Sequence, residues 1–187
     1  MSRNRSAFVG WPPSFAPNEH GVLWDHELAQ LDPLRAAGQL PADDEVDAQL
    51  ADLLKHLAEH HPPASLRLWP TSYVVASRLQ TLIDLLDRRP GVAKRVESDE
   101  RVNVWLAAHL RWITSNPEDH IPGNHVIRLA QALVLGGTCL APRGPWRDAG
   151  LALLENALEQ QLLPDGGQFE RAPTYHALVL RDLLQAA

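Results

Sequence analysis

Asn124 and His125 stand side by side after a polar stretch, Asn116-Pro117-Glu118-Asp119-His120-Ile121-Pro122-Gly123, that separates two apolar runs. Together they offer amide donors, an amide acceptor and a titratable imidazole within one helical turn. A helix that begins here also presents unpaired N–H groups and the positive end of its dipole, which suits an anionic ligand. A second polar stretch, Asp165-Gly166-Gly167-Gln168-Phe169-Glu170-Arg171-Ala172-Pro173-Thr174-Tyr175-His176, also feeds a helix start and puts Tyr175 and His176 in its first turn. Each stretch has a plainer reading. Asn124 can simply cap its helix, Tyr175 can pack at a helix entry, and Glu170 with Arg171 can be an exposed ion pair of little energetic weight.

Other chemically suggestive residues carry less. His56 and His60 are spaced i, i+4 with His61 beside them, a metal-compatible spacing, but no HExxH string or evident third ligand accompanies them; they read as a solvated helix face. Six tryptophans could stack on sugars, yet in a helical chain most are expected to anchor the core. The single cysteine, Cys139, excludes an internal disulfide framework, and its apolar surroundings predict a small core residue.

The elements that must position these groups are helical. Asp43 and Asp44 can cap a helix bearing Val46, Leu50, Leu53, Leu54 and Leu57, ended by Pro62-Pro63. A second is predicted from about 71 to 89, stopped by Pro90-Gly91, and a third from Ser98 through Ile113. A fourth covers about 125–135 and closes on Gly136-Gly137, a fifth runs from Pro145 to about 162, and a sixth starts near Pro173. Residues 1–42, rich in Pro, Gly and aromatics, read as an irregular arm with one short helix near 24–31, packed on the body by Trp11, Phe15 and Trp24. The expected fold is therefore all-α, an arm plus a helical domain over 43–187. Periodicity does not choose between a bundle and an (α/α) toroid of stacked hairpins. The last helix, with Leu178, Leu180, Leu183 and Leu184, lacks a following partner, so the architecture is expected to continue past this chain.

Composition narrows the function classes. The net charge is −6, with no stripe of Lys or Arg, so neither nucleic acid nor an anionic membrane surface is an expected partner. No apolar run reaches membrane-spanning length, and the first residues do not read as an export signal.

Taken together, the two polar stretches resemble the heparinase II/III family of uronate-polymer lyases. The similarity lies in Glu118-x-His120-x-x-Gly123-Asn124-His125, followed by Leu163-Pro164-Asp165-Gly166-Gly167-x-Phe169-Glu170-Arg171-x-Pro173-x-Tyr175-His176. Upstream, Leu68-Trp69-Pro70-x-x-Tyr73 with Ser77-Arg78 is similar to the family's Trp-Pro-Tyr…Arg segment, and the likeness spans roughly 65–187. Ala172 departs from it where a Ser is common.

The resemblance implies a partial (α/α) toroid, followed in relatives by a β-sandwich that supplies a further catalytic His and closes the cleft. It implies β-elimination on an acidic polysaccharide, with no cofactor or metal. Abstraction of the C5 proton of a uronate develops charge on its carboxylate, so donors aimed there lower the barrier. By resemblance Asn124 is that donor, His125 a second donor or proton-transfer partner, and Tyr175 the base or acid that moves the proton, with His125 and Arg171 the local candidates to activate it. Glu170, Arg171, His176, Trp69, Tyr73 and Arg78 are the implied substrate-binding residues. The family is usually exported, implying a periplasmic setting. The other expectation is a carbohydrate-binding helical module that keeps this fold without turnover.

Overall fold

The computed structural model describes residues 21–63, 65, 68–118, 121 and 123–186. Trp11 and Phe15, expected to pin the arm, lie outside these residues, as do Asp119, His120 and Pro122. Among the described residues the chain is all-α, with no strand and a single isolated bridge between Leu162 and Gln168.

Capping and apolar spacing account for the long helices. Helix α3 (Asp44–His60) starts where the Asp43 carboxylate accepts from the Val46 N–H at 2.9 Å, and it buries Leu50, Leu53, Leu54 and Leu57. Helix α4 (Ser72–Arg88) starts on the Thr71 hydroxyl, and α6 (Glu100–Ser115) on the Asp99 carboxylate. Each side-chain oxygen satisfies an N–H that the helix leaves unpaired. Helices α7 (Asn124–Cys139), α8 (Trp146–Gln161) and α9 (Pro173–Ala186) complete the series.

Three expectations change. The region read as an arm contains two short helices, α1 (Val22–Ala29) and α2 (Asp32–Ala37), broken where Leu31 adopts a left-handed φ of 58°. Leu28, Ala29, Leu31 and Leu34 are buried, and three of them join the main core, so apolar burial recruits this segment despite its prolines and glycines. Pro90-Gly91 ends α4 but at once opens α5 (Pro90–Val96), because proline suits a first helical turn. A Cβ at Gly91 would collide with the Asp47 carboxylate, which pairs with buried Arg89 at 2.5 Å and joins α3 to this corner.

Gly136 and Gly137, expected to end the fourth helix, lie inside α7. A Cβ at Gly136 would come 2.6 Å from Leu110 Cδ2, and one at Gly137 would meet the Arg147 backbone. They are contact points that let α6 and α8 approach closely. The helix therefore runs a further turn, and Cys139 emerges exposed at its end rather than buried in the core.

Contacts also fix the directions of the helices. Along α7 and α9 the partners advance in step: Arg128 meets Asp182, and Gln131 meets Gln185. Along α4 and α7, Tyr73 meets His125 and Gln80 meets Arg128. The helices α4, α7 and α9 thus run parallel, with their N-termini at one end. Between them run returning helices: α6 is antiparallel to α4 through Ser72–Asn116 and Arg78–His109, and α8 to α7 through Gly150 against Ala130 and Leu133. On α9, Leu180 and Leu184 stay exposed. No described helix is long and apolar enough to cross a membrane.

Candidate active site at the converging helix N-termini

Glu118 ties two helix N-termini together. Its carboxylate is buried; Oε1 accepts from the Ser72 N–H at 2.6 Å and the Tyr73 N–H at 3.3 Å, in the first turn of α4. Its Oε2 lies 2.9 Å from Nδ1 of His125, in the first turn of α7. One negative charge therefore satisfies two orphan donors at the positive end of α4 and orients an imidazole. With the carboxylate accepting at Nδ1–H, Nε2 is the nitrogen left for an incoming group. The His125 ring also stacks on Tyr73, with centroids 4.3 Å apart and planes 26° from parallel, and its side chain keeps 32% exposure. The imidazole is thus held from two sides and open on a third.

Asn124 is the first residue of α7 and is buried at 9% exposure. It is not the cap. That position belongs to Gly123, whose φ of 105° is one that side-chain-bearing residues rarely adopt. The bare Cα of Gly123 leaves room for Glu170, whose carboxylate oxygens would lie 3.1 and 3.2 Å from a Cβ there. The second polar stretch is therefore laid against the start of α7.

Gln168 organises that second stretch, and sequence reasoning gave it no role. It is 2% exposed; its Nε2 donates to Glu170 Oε2 at 2.9 Å, and its Oε1 accepts from the Glu170 N–H at 3.0 Å. Its carbonyl accepts from the N–H of Arg171, which sits at a left-handed φ of 54°. Periodicity carries no signal for such a residue, because its role arises from turn geometry and burial. Glu118 was part of the recognised spacing, but its role as a clamp required knowing that α4 begins beside it.

Tyr175 lies in the first turn of α9, 42% exposed, with Arg171 and His176 exposed nearby. Since α7 and α9 are parallel, Asn124, His125 and Tyr175 share one end of the molecule, where Glu170 touches Gly123. Among the described residues no hydrogen bond joins Tyr175, Arg171 or His176 side chains to Asn124 or His125.

Trp69 and Arg78 lie elsewhere. Both are fully buried; the Arg78 guanidinium sits 4.7 Å from the Trp69 ring centroid and donates to His109 Nε2 at 2.9 Å and to the Ala29 and Leu68 carbonyls. Sealed in this way they meet no substrate surface and brace the helices behind the site. Burial lowers the Arg78 pKa to about 9. Tyr73 is half-buried and belongs to the open end. His56 and His60 stack on each other at 4.3 Å, and no three metal-ligating side chains gather among the described residues.

The family model for the heparinase II/III N-terminus matches residues 102–187. That span holds α6 from its third residue, all of α7 to α9, and therefore Glu118, Asn124, His125, Glu170, Arg171, Tyr175 and His176, while Trp69, Tyr73 and Arg78 precede it. No curated protein and no solved structure matches the chain significantly.

Proposed function

We propose, from the match of residues 102–187 to the heparinase II/III N-terminus model, that this chain is the helical part of a polysaccharide lyase that cleaves uronate-containing polymers by β-elimination. The observation that carries the reading is the meeting of the α4 and α7 N-termini on Glu118, with Asn124 and His125 in the first turn of α7 and Tyr175 in the first turn of α9, which runs parallel to it. In this reading the parallel helices form the inner row of an (α/α) arc.

The chemistry follows from these groups. The Asn124 amide donates to the uronate carboxylate, which gains charge as the C5 proton leaves, and the N-terminus of α7 adds its own partial positive charge. The Tyr175 phenolate takes the C5 proton. The electron pair forms the C4–C5 double bond, and the C4–O bond breaks. His125, entering the step as the imidazolium with its Nδ1–H held on Glu118, gives its Nε2 proton to the departing oxygen and is left neutral. General acid–base steps of this kind contribute about 10²–10⁴-fold. Glu170 and Arg171 flank the sugar.

The test is incubation with alginate, heparan sulfate and other uronate polymers, following the ultraviolet absorbance of the unsaturated product. Activity lost in Asn124→Ala and Tyr175→Phe supports the proposal, and absence of product from every uronate polymer overturns it. The exposed Tyr175, without a hydrogen-bonded activator among the described residues, favours a second reading: a carbohydrate-binding module. It predicts saturable oligosaccharide binding, weakened by Asn124→Ala, with no product.

A further inference from the structure

On the flank of α7 away from Asn124 lies a pocket of about 300 Å³ that the mechanism does not use. Its walls are Val126 in the first turn of α7, the last turns of α8, and Phe169 from the second polar stretch. Residues two apart stand about 200° from each other around a helix, so Val126 and Asn124 face opposite ways. Helix α8 is antiparallel to α7, and its C-terminal turns therefore lie beside the N-terminus of α7, at the same end of the molecule as the candidate site. The loop wall is pinned by its backbone. The Phe169 N–H donates to the Gln161 carbonyl at 2.9 Å, and the Leu163 N–H to the Gly167 carbonyl at 2.8 Å.

The lining carries no charged side chain. From α8 come Leu153, Asn156, Ala157, Gln160 and Gln161, spaced i, i+3, i+4, i+7 and i+8 along one face. The acids Glu155 and Glu159 of the same turns lie off that face, each about 100° from the lining residue that follows it. Glu170 and Arg171, which follow Phe169, bring one charge of each sign, and neither enters the lining. The surroundings are thus neutral to acidic, and an incoming anion finds no partner.

What the pocket offers is amides beside an aromatic ring. Gln160 Nε2 donates to Asn156 Oδ1 at 3.0 Å, which holds both side chains and leaves the Asn156 amide N–H groups as donors and Gln160 Oε1 as an acceptor. Gln161 is 4% exposed, and its side-chain amide makes no hydrogen bond among the described residues; Oε1 is enclosed by protein, and Nε2 is the end left to donate into the pocket. The Phe169 ring is 36% exposed, and Val126, Leu153 and Ala157 add apolar wall. A hydroxyl-bearing ring matches this set. Its C–H face packs on an aromatic ring, and each hydroxyl both donates and accepts. The volume, at the small end for ligand pockets, suits one ring.

We propose that this pocket binds one neutral sugar ring, and that in the lyase it holds an uncharged residue of the polymer near the uronate held by Asn124. The second clause rests on the lyase reading, and the first does not. Substrate choice then has two parts. Asn124 and the α7 N-terminus read the acid, and the pocket favours polymers that alternate uronate with a neutral sugar over polymers of uronate alone.

The test is NMR titration of the 187-residue chain with glucose, N-acetylglucosamine and cellobiose, and in parallel with sodium glucuronate, which differs from glucose only at C6. Saturable shifts are expected for the neutral sugars, centred on Phe169 and the side-chain amides of Asn156, Gln160 and Gln161. Added salt should leave them unchanged, because no charges pair. Phe169→Ala is expected to weaken binding about tenfold and Asn156→Ala several-fold. Both should keep a native circular dichroism spectrum, since Phe169 and Asn156 are exposed. Glucuronate should leave these residues unshifted, and its binding there as tightly as glucose would overturn the preference for a neutral ring. No saturable binding of any neutral sugar, or variants that bind like the wild type, overturns the pocket. Neutral sugars bound with no product from any uronate polymer support the pocket and remove the lyase reading; turnover without neutral-sugar binding does the reverse.

Discussion

Two clusters in this molecule are built from the same parts, an imidazole, an aromatic ring and an ionic group, and they come out as opposites. In the core, His109 lies between Trp69 and Trp105, at 4.5 and 4.6 Å, and receives the Arg78 Nε–H on its Nε2. Its Nδ1 meets the Trp105 carbonyl at 2.8 Å, so both ring nitrogens are spent within the protein. At the open end, His125 stacks on Tyr73 and bonds Glu118 through Nδ1 only. The ionic partner decides the difference. A cation donating to the ring fixes it as a neutral acceptor, while a carboxylate accepting from it leaves the second nitrogen for a ligand. The same residue types brace one region and equip the other for chemistry.

Breaking the sealed cluster should have the largest effect on stability. Arg78→Ala removes a donor from His109 Nε2 and from two buried carbonyls and leaves a cavity; we expect a loss of more than about 3 kcal/mol in urea unfolding. At the open cluster, Glu118→Gln retains an oxygen for the Ser72 and Tyr73 N–H groups but loses the charge facing His125. Its circular dichroism should stay native while turnover on a uronate polymer falls by about 10²-fold. Equal loss of fold and activity would mean that the clamp is structural only.

The third prediction separates the clusters by pH. Burial, then the nearby Arg78 charge, hold the His109 pKa well below its ordinary value. Unfolded, His109 takes up a proton below about pH 6.5, and folded it does not, so stability falls as pH drops through that value. Between pH 7.5 and 5.5 this group alone should remove about 1.4 kcal/mol. In His109→Gln, whose amide oxygen can still accept from Arg78, that share of the dependence should vanish. The smallest effect is expected for Tyr73→Phe, which keeps the stacked ring and should change stability by less than about 0.5 kcal/mol. A larger change would show that the hydroxyl, and not the ring, supports His125.

Legibility varied by element. The starts of α3 and α4 could be read to within a residue, because Asp43 and Thr71 cap from the position their chemistry requires. The end of α7 was misread, because Gly136-Gly137 has the composition of a helix stop and the role of a packing contact. At the candidate site, Asn124, His125, Glu170 and Tyr175 stood out as types in polar stretches before helices. Gln168 did not, because its role comes from burial and turn geometry that residue type alone does not signal.

The sequence by itself therefore determined the long helices of the body, though not α5 or the end of α7, and the two polar stretches, since caps, prolines and apolar spacing act over a few residues. Only the tertiary structure decided that α4, α7 and α9 run parallel, that the N-termini of α4 and α7 meet on Glu118, and that Trp69 and Arg78 are sealed while Tyr73 is open. These outcomes depend on contacts between residues some 40 or more positions apart, and such contacts are set by how whole helix faces bury their apolar surface.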